Sequence, residues 1–410
     1  MKQSRLFLKT RKETPADADS INASYLIRTG FVEKQMAGVY ALLPLGFRVY
    51  KKIEAIIREE MNAVGGQEML MNILQPKELW DETGRWAEGK EVMYQFKDSR
   101  DKEIGLGWTH EEQVTDIVRK KIKSYKDLPQ ALYQIHAKFR NEARAKSGLL
   151  RGREFMMKDM YSFHATEEDL DDFYEKVKIA YLKIYERLRL DAKVVQASGG
   201  LFSKYSHEFQ VLAPVGEDVI YHCDKCGFAQ NKEIAEVKEG DKCPECDGKI
   251  RVSNGIEVGN IFLLKNKYSK SMKALYVDQS GKQQEILMGC YGIGLTRAMA
   301  TVVEIYYEAN KNRMILPEEI APFKLHLISL GADKEAGTLY ENLKNKDFEL
   351  LYDDRDLSAG EKFAEADLIG CPKRIIVSTK TLNENKAEVI DVVSGKSEMI
   401  KLDQVIDEIT

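Results

Sequence analysis

Hydrophobic and polar residues alternate in two neighbouring segments, which predicts a pair of strands. In the first segment, residues 133–142, every second residue from Tyr133 to Phe139 is apolar, which is the period of a half-buried strand. The second segment, 153–163, follows a basic loop and places on one face Arg153, Phe155, Met157 and Asp159. These segments predict a long antiparallel hairpin with Arg140 and Glu142 near its loop end. An arginine for phosphate and a carboxylate for an exocyclic amine would hold a nucleotide there; an ordinary hairpin with a charged outer face is the alternative.

Three stretches have the apolar spacing of helices. Residues 47–63 repeat apolar side chains at helical intervals, and a strand over 68–74 follows a glycine pair. A second helix is expected to begin at Thr109 as its N-cap, with Glu112 completing a capping box. Residues 166–190 form the third predicted helix, which is long and has one apolar side.

Residues 286–297 run from a strand through glycines into a helix, which favours an anion site. The helix start offers free N–H groups and the positive end of the helix dipole, and Arg297 lies in the first turn. Glycines alone also serve turns, so the arginine is what makes anion binding the stronger interpretation.

Beyond a polar, proline-containing boundary at residues 310–322 the pattern changes. Strands and helices alternate there, which predicts a small α/β domain. The predicted strands are 325–330, 348–352 and 374–378, and the predicted helices are 334–343 and 360–368.

Composition suits a globular protein of several domains. The chain has 410 residues and a formal net charge of -4, which gives no overall attraction to nucleic acid. No apolar run approaches the ~18 residues of a membrane span, and the basic N-terminus lacks the apolar core of a secretory signal. We therefore expect a cytoplasmic protein without membrane contact.

Four of the six cysteines lie in two C-x-x-C pairs separated by sixteen residues: Cys223, Cys226, Cys243 and Cys246. This spacing is typical of a zinc site, and four thiolates leave no open coordination position, so the sequence predicts structural Zn²⁺. Two reduced dithiols without metal are the alternative. Cys290 and Cys371 are isolated and are expected to be reduced thiols.

Several stretches together resemble a known family. Residues 139–142 with 153–155 resemble motif 2 of the class II aminoacyl-tRNA synthetases, residues 292–297 resemble motif 3, and Pro44 with the helix after it resembles motif 1. Further stretches, in the family's order, resemble bacterial-type prolyl-tRNA synthetases: 107–111, 128–134, 157–164, 206–209, 289–294, 353–363 and 367–370. The resemblance covers nearly the whole chain apart from the cysteine segment.

The resemblance implies an α+β fold with a class II synthetase antiparallel-sheet catalytic core. The core is expected in residues 1–220, with motifs 1 and 2, and in residues 252–315, with motif 3. A small zinc-ribbon insertion is expected in 221–251 and a C-terminal α/β anticodon-binding domain in 316–410. A homodimer joined through the motif 1 helix is also implied.

The implied reaction joins proline to tRNA(Pro) with ATP and Mg²⁺. Proline's carboxylate attacks the α-phosphate, and the 3′-end of tRNA then takes the prolyl group from prolyl-adenylate. Because that carboxylate is already ionised at neutral pH, the first step needs alignment and positive charge rather than a protein base. Arg140 and Arg297 are therefore the expected catalytic residues, and Arg140 is expected to bridge the α-phosphate and the carboxylate of proline.

Motif positions imply the other ATP contacts. Glu142 is expected to accept from the adenine amine and Phe155 to stack on the adenine. Arg151, together with Arg297, is expected to hold the β- and γ-phosphates. Glu257 fits a contact to the Mg²⁺ carried by ATP, and a surface strand carboxylate is the alternative.

The proline pocket is implied in the same way. Thr109 and Glu111 match the element that accepts from the cationic ring nitrogen, although Thr109 alone would be a helix cap. Met157, Phe262 and Cys290 match the wall around the ring, with ordinary core packing as the alternative.

Charged residues in two places are expected to contact tRNA. Arg144 and Lys146 in the hairpin loop would meet the acceptor end. Asp354, Arg355 and Lys362 in the C-terminal domain would meet the anticodon. A solvated charged face is the alternative in both places.

The chain departs from the family pattern in three places. Only the short cysteine segment stands where many relatives carry a large editing insertion, so no cis editing of Ala-tRNA(Pro) is expected. Phe202 and Ser203 stand where the family usually has a glycine pair, and Lys265 stands where a glycine is common.

Three other functions remain open. Another class II synthetase, for threonine, serine or glycine, is the first, although a threonine enzyme would be expected to use a catalytic zinc with an open position. A synthetase-like tRNA-binding protein without catalysis is the second, and the intact Arg140, Glu142 and Arg297 argue against it. A zinc-ribbon nucleic-acid module is the third, and it explains only a small part of the chain.

Overall fold

The computed structural model describes residues 1–409 except Leu8, Lys12, Asp17 and residues 201–204. The α-helices of this part are α1 (Ile21–Arg28), α2 (Pro44–Ala63), α3 (Lys77–Thr83), α4 (Arg85–Glu88), α5 (Glu111–Lys121), α6 (Glu167–Arg187), α7 (Lys267–Ser271), α8 (Leu295–Tyr306), α9 (Asp333–Asn345), α10 (Ala359–Ile369), α11 (Thr379–Leu382) and α12 (Val405–Glu408). The predicted departure at Phe202 and Ser203 lies outside the described residues.

The strands of the same part are β1 (Val32–Met36), β2 (Val39–Leu42), β3 (Gln67–Glu68), β4 (Leu74–Pro76), β5 (Gln95–Lys97), β6 (Glu103–Leu106), β7 (Gln130–Phe139), β8 (Glu154–His164), β9 (Ala192–Ser198), β10 (Tyr205–Leu212), β11 (Asp218–Cys223), β12 (Ala229–Asn231), β13 (Ile250–Lys265), β14 (Leu275–Val277), β15 (Gln283–Glu285), β16 (Leu287–Gly294), β17 (Tyr307–Glu308), β18 (Arg313–Met314), β19 (Leu325–Leu330), β20 (Leu350–Asp353), β21 (Lys373–Ser378), β22 (Lys386–Asp391) and β23 (Ser397–Lys401).

Internal contacts divide the chain into two compact units. The larger unit comprises Met36–Val39 and Ile53–Thr301, and the smaller unit comprises Met1–Gln35, Tyr40–Lys52 and Val302–Thr410. The finer domain boundaries expected from the sequence stay predictions. Among the described residues no helix combines the length and the apolar character needed to cross a membrane.

The larger unit is built on a sheet of nine described strands, in the order β10-β9-β12-β11-β13-β16-β8-β7-β3. Neighbours are antiparallel except β12 beside β9 and β3 beside β7. Strands β11 and β12 of the cysteine segment therefore belong to this sheet. Helix α6 packs against β8, β13 and β16, which buries one face of the sheet's centre.

The predicted hairpin exists as β7 and β8, which pair antiparallel along their whole length. The first arm ends at Phe139, three residues before the predicted end. The Glu142 amide donates to the Arg140 carbonyl at 2.8 Å, a turn that takes the chain out of the ladder. Arg140 and Glu142 consequently lie in the connection rather than on a strand.

The half-buried pattern predicted for the hairpin is wrong on its polar side. Gln134 and Lys138 are fully buried although they alternate with apolar residues. They face the same side as Asp159, because Gln134 lies directly opposite Asp159 in the ladder. Hydrogen bonds and an ion pair to Asp159 permit this burial, so the alternation separates two buried faces.

Two local predictions also need correction. Helix α5 begins at Glu111 with His110 as N-cap and without a side-chain cap, because the Thr109 hydroxyl donates to the Glu111 carboxylate instead. The strand expected over residues 68–74 is reduced to its two ends, in β3 and β4. Helix α6, expected over residues 166–190, begins at Glu167, and the Thr166 side chain caps it by accepting from the Asp169 amide.

The smaller unit contains the predicted C-terminal α/β domain. Its sheet has the order β20-β19-β21-β22-β23, with β19 parallel to both neighbours. Helices α9 and α10 connect the parallel strands as predicted. Strands β22 and β23, which add an antiparallel edge, were not predicted from the sequence.

Lys265 adopts the backbone conformation that the expected glycine would favour. Its φ is +51°, next to an irregularity in the pairing of β13 with β16. A side chain in this left-handed region costs about 1–2 kcal/mol relative to the right-handed form. The exposed ion pair of Lys265 with Glu167, at 3.1 Å, offsets little of this cost.

Replacing Lys265 by glycine should therefore stabilise the protein relative to its replacement by alanine. Both variants lose the ion pair, and only Lys265→Gly relieves the backbone, so we expect a difference of about 1 kcal/mol in the free energy of unfolding. Denaturant titration measures it. Equal stability of the two variants, or a less stable glycine variant, would contradict the assignment.

Candidate active site

One cavity of the larger unit, about 230 Å³ in volume, gathers the side chains predicted to bind ATP and proline. Its walls come from the connection between β7 and β8, from β8, β13 and β16, and from the starts of α5 and α8. Every predicted ATP and proline residue lines it: Thr109, Glu111, Arg140, Glu142, Arg151, Phe155, Met157, Glu257, Phe262, Cys290 and Arg297. Residues far apart in the chain thus meet in one place.

Two guanidinium groups mark one end of the cavity. Arg297 is held by its Nε–H, which donates to the Leu150 carbonyl at 2.9 Å, and by an ion pair with Glu257 at 3.1 Å. Arg140 lies with its guanidinium 5.1 Å from the centre of the Phe155 ring. Within the described part of the chain the Nε of Arg140 is buried and has no hydrogen-bond partner. Burial, and then the charge of Arg297, lower the pKa of Arg140. The fold holds two like charges together here, which favours an anion between them.

A carboxylate pair flanks this end. Arg151 donates to Glu142 at 2.9 Å and to Glu217 at 2.7 Å. The side chain of Arg153 donates to the Glu142 carbonyl, which fixes the turn. Glu217 was not among the predicted residues, because it lies in a loop with no motif around it, and only the fold brings it to Arg151.

Another part of the cavity wall carries a buried carboxylate. Glu111 is fully buried and accepts from the Thr109 hydroxyl, at 2.8 Å and 2.6 Å to its two oxygens. The Cys290 thiol donates to the same carboxylate at 3.5 Å. Burial and the neighbouring Glu111 charge raise the pKa of Cys290, so it stays a thiol. Met157 and Phe262 complete an apolar wall beside this buried carboxylate.

A second carboxylate and an arginine stand behind Glu111. The guanidinium of Arg85 donates to Glu112 at 2.9 Å and to Glu111 at 3.3 Å. Glu112 also accepts from the Thr83 hydroxyl at 2.8 Å. Burial raises the pKa of Glu112, while the Arg85 charge opposes the rise. Sequence reasoning missed Arg85, and its place five residues after Trp80 was the available signal of a buried cation.

The floor of the cavity is a buried polar network around Asp159. Its carboxylate forms an ion pair with Lys138 at 2.7 Å and accepts from Gln134 at 3.0 Å and from the Tyr161 hydroxyl at 3.2 Å. Burial, and then the Lys138 charge, lower the pKa of the adjacent His110 to about 4. His110 is therefore neutral at pH 7, and the network fixes the positions of the strands that carry the site.

Comparison with known proteins assigns the chain to a family. A profile described as "tRNA synthetase class II core domain (G, H, P, S and T)" matches residues 94–306, and one described as "Anticodon binding domain" matches residues 322–410. A curated proline–tRNA ligase of Persephonella marina is 36% identical, with 99% of each chain covered. The chain belongs to the proline–tRNA ligase family of class II aminoacyl-tRNA synthetases. A relative of the same description from Aquifex aeolicus is 32% identical and covers 99% of this chain and 98% of its own.

The fold agrees with that family. A solved structure described as Giardia lamblia prolyl-tRNA synthetase in complex with prolyl-adenylate superposes with a TM-score of 0.77. It is 21% identical and covers 92% of this chain and 73% of that one. The alignment to the Persephonella marina relative spans 559 positions, against the 410 residues of this chain. The shorter chain of this family member fits the absence of an editing insertion.

The two predicted tRNA contacts in the hairpin connection lie at the surface. Arg144 is exposed. The Lys146 side chain is 52% exposed and forms an ion pair with Glu217 at 3.2 Å. Both remain accessible to a nucleic acid, and their role stays a prediction.

The three predicted anticodon contacts in the smaller unit already have partners within that unit. Asp354 accepts from both the amide and the hydroxyl of Ser4. The guanidinium of Arg355 forms ion pairs with the carboxylates of Asp353, at 2.7 Å, and Glu365, at 2.8 Å. The remaining residue, Lys362, is 3% exposed, and its ammonium group donates to the Ser329 carbonyl. In this structure Lys362 is therefore inaccessible to tRNA, because burial and that hydrogen bond keep it inside the domain.

The four paired cysteines converge as their spacing predicted. Their sulfur atoms all lie within 4.8 Å of one another: Cys223, Cys226, Cys243 and Cys246. Among the described residues this is the one such group of three or more potential metal ligands. His222 is turned to the Ser253 hydroxyl and stands beside the cluster.

Proposed function

We propose that this chain attaches proline to tRNA(Pro) in two ATP-dependent steps, through prolyl-adenylate. The observation that carries the proposal is the set of charged groups in one cavity. Two guanidinium groups, those of Arg140 and Arg297, line it together with the buried Glu111 carboxylate and its Thr109 hydroxyl. That arrangement suits a polyphosphate beside a small zwitterion whose ring nitrogen is cationic.

Arg140 is the residue best placed to act on both reactants of the first step. Its buried Nε has no partner in the described structure, and Arg297 lies close enough to affect its pKa. A charge-assisted contact to the α-phosphate and to the carboxylate of proline would align attacker and target. The same contacts would become stronger as negative charge develops in the transition state.

Arg151 and Arg297 are proposed to hold the outer phosphates. Each is tied to a carboxylate, Arg151 to Glu142 and Arg297 to Glu257, so each keeps a fixed direction. Phe155 presents its ring in the same cavity for the adenine. These ion pairs leave the arginines positive and oriented at little entropic cost on binding.

Glu257 is proposed to hold the Mg²⁺ that accompanies ATP. One of its oxygens pairs with Arg297 and the other accepts from the Asn260 amide at 3.0 Å. An ionised carboxylate can accept further contacts on each oxygen, so the donor set fits a hard cation. When bound, Mg²⁺ would neutralise charge on the phosphate oxygens.

Thr109 and Glu111 are proposed to accept from the ring nitrogen. The Glu111 carboxylate is buried and held by the Thr109 hydroxyl, so its orientation is fixed before a substrate enters. Met157, Phe262 and Cys290 would enclose the apolar ring. A smaller amino acid would lose part of this contact and keep the charged contacts.

ATP–pyrophosphate exchange tests the assignment. We expect exchange with proline and not with threonine, serine or glycine, and we expect Arg140→Ala to lower kcat/KM by about 10²–10³, the loss typical for one transition-state donor. Arg187→Ala is a matched control, because Arg187 pairs with Glu59 and Glu60 at the surface of α6. Undiminished exchange by a folded Arg140→Ala variant would remove the central assignment.

The short chain leads to a prediction about alanine. A pocket that fits proline loses only ~1–3 kcal/mol with a smaller apolar side chain, so alanine should support exchange at a reduced kcat/KM. Ala-tRNA(Pro) incubated with the purified chain should lose alanine no faster than in buffer alone. Rapid deacylation by the chain would show an editing site that the chain was not expected to have.

We also propose that the four cysteines hold a structural Zn²⁺. The sulfur atoms of Cys223 and Cys246 are 3.5 Å apart, and those of Cys226 and Cys243 are 3.7 Å apart. A tetrahedral ion with Zn–S bonds of 2.3 Å separates its sulfurs by about 3.8 Å, so the cluster fits. Backbone N–H groups donate to the sulfurs, as expected around thiolates. The cluster leaves no room for a side chain at position 248, since a Cβ on Gly248 would lie 2.4 Å from the Cys223 sulfur.

Gly248→Ala should therefore disturb the metal site, whereas Gly227→Ala should not. A Cβ at Gly227 meets no atom within 4 Å, so the control carries the same substitution in the same segment. We expect Gly248→Ala to reduce bound zinc, measured by elemental analysis, and to lower Tm. A chelator should lower the Tm of the wild type and of Gly227→Ala. A melting curve that a chelator leaves unchanged would count against a structural zinc.

The resemblance further suggests a homodimer through α2 and a cytoplasmic location, and both stay predictions. In the larger unit Leu70 and Leu74, which follow that helix, are 70% and 55% exposed. Such large exposed apolar side chains are typical of a subunit contact.

A further inference from the structure

Three charged side chains are buried together next to the part of the cavity wall that Glu111 forms. Arg85 is 3% exposed, and Glu111 and Glu112 are fully buried. Glu111 lines the cavity, whereas the other two stand behind it. One guanidinium thus faces two carboxylates, and the three groups together carry one excess negative charge when both carboxyls are ionised.

Aromatic rings enclose the arginine of this cluster. The guanidinium carbon of Arg85 lies 5.3 Å from the ring of Trp80, 4.9 Å from that of Trp108 and 5.3 Å from that of Tyr268. Cation–π contacts stabilise the cation where water does not reach it. The cluster is therefore rigid, and removing its cation would leave buried carboxylates without compensation.

The hydrogen bonds of the cluster fix the direction of Glu111. One of its oxygens accepts from Arg85 at 3.3 Å, and both accept from the Thr109 hydroxyl. Burial raises the pKa of Glu112; the Arg85 charge opposes this rise, and the nearby Glu111 charge adds to it. A cation at the cavity side of Glu111 would balance the cluster.

We propose that Arg85 is a positioning residue for the substrate end of this site, and that the excess negative charge of Arg85, Glu111 and Glu112 selects a substrate with a cationic ring nitrogen. The inference rests on the proposed function and adds two residues that do not touch the substrate. Arg85 acts by orienting Glu111, and Glu112 acts by supplying the excess charge. The cationic ring nitrogen of a bound zwitterion balances the excess charge locally, and an uncharged ring atom leaves it unbalanced.

Exchange kinetics of four variants test the proposal. Glu112→Gln keeps the shape and removes one charge, so KM for proline should rise about tenfold or more, while KM for ATP changes less than about twofold. Arg85→Met should raise KM for proline and lower kcat. Arg85→Lys should recover part of the loss, because it restores the charge without the fork geometry. Arg119→Met is the control: Arg119 lies on α5 and binds Glu82 and Asp116 away from the cavity.

Tetrahydrofuran-2-carboxylate separates charge from shape. Its ring carries oxygen where proline carries nitrogen, so it is nearly isosteric and lacks the cation. As a competitive inhibitor it should bind the wild type much more weakly than proline, and the ratio of its Ki to the KM for proline should fall about tenfold in Glu112→Gln. A purely structural role of Glu112 would leave that ratio unchanged.

The outcomes are distinct. A wild type that exchanges with proline, while folded Arg85→Met and Glu112→Gln keep wild-type KM values, overturns this inference and leaves the proposed function intact. Equal rises of KM for proline and ATP also overturn it. If Arg85→Met fails to give a cooperative melting curve, the isosteric Glu112→Gln and the inhibitor ratio decide. A wild type that exchanges with no amino acid overturns the proposed function and, with it, the inference.

Discussion

Two positive charges held together by the fold are the constraint on which the rest of the site depends. Arg140 and Arg297 lie far apart in the larger unit's sequence, and their mutual repulsion opposes folding. The fold offsets this repulsion with fixed partners: Leu150 and Glu257 hold Arg297, and the Phe155 ring supports Arg140. The chain thereby stores an unfavourable arrangement where an anion would relieve it. Such local conflicts with stability are expected at functional sites.

The cavity is lined by Arg140 and Arg297 and by the buried Glu111 carboxylate, and these charges would give a bound amino acid a direction. A zwitterion would place its carboxylate toward Arg140 and its ring nitrogen toward Glu111. The attacking oxygen would then lie beside Arg140. Glu111 and Arg297 are both pre-organised by contacts that involve no substrate, namely the Thr109 hydroxyl on Glu111 and the ion pair of Arg297. Alignment of this kind is the main requirement when the nucleophile is already ionised.

Local pattern predicted much of this arrangement, and its failures have physical causes. The period of the β7–β8 hairpin and the glycine-rich start of α8 were visible in the sequence, since both depend on neighbouring residues. The burial of Gln134 and Lys138 was not, because a polar side chain inside the protein needs a partner, Asp159, that only strand pairing supplies. Thr109 was expected to cap α5, but its hydroxyl donates to the carboxylate of Glu111, two residues further along the chain.

The residues that sequence reasoning missed share one property. Glu217 lies in a loop and Arg85 in a four-residue helix. Each forms an ion pair with a residue that is distant in sequence, Glu217 with Arg151 and Arg85 with Glu111. The ATP and proline residues predicted from motif positions all line the cavity, whereas Asp159, Tyr161 and Asn260, which also line it, were not among the predicted site residues. Buried charge compensation is a three-dimensional property, so the sequence reveals it only when an arginine lies close to aromatic residues, as Arg85 does to Trp80.

The cysteine cluster supports the site from a distance. Ile250, at the start of β13, pairs with Cys223 at the end of β11, so a metal there would clamp these two strands. The same strand β13 carries Glu257 and Phe262 into the cavity. Seven residues of extended strand separate Ile250 from Glu257, roughly 23 Å, so a metal cannot contact a substrate in the cavity. Its contribution would be to fix the end of a long strand whose middle holds a carboxylate and a ring in the cavity wall. A short insertion that joins the central sheet can do this, because its strands lie within the ladder that positions the cavity.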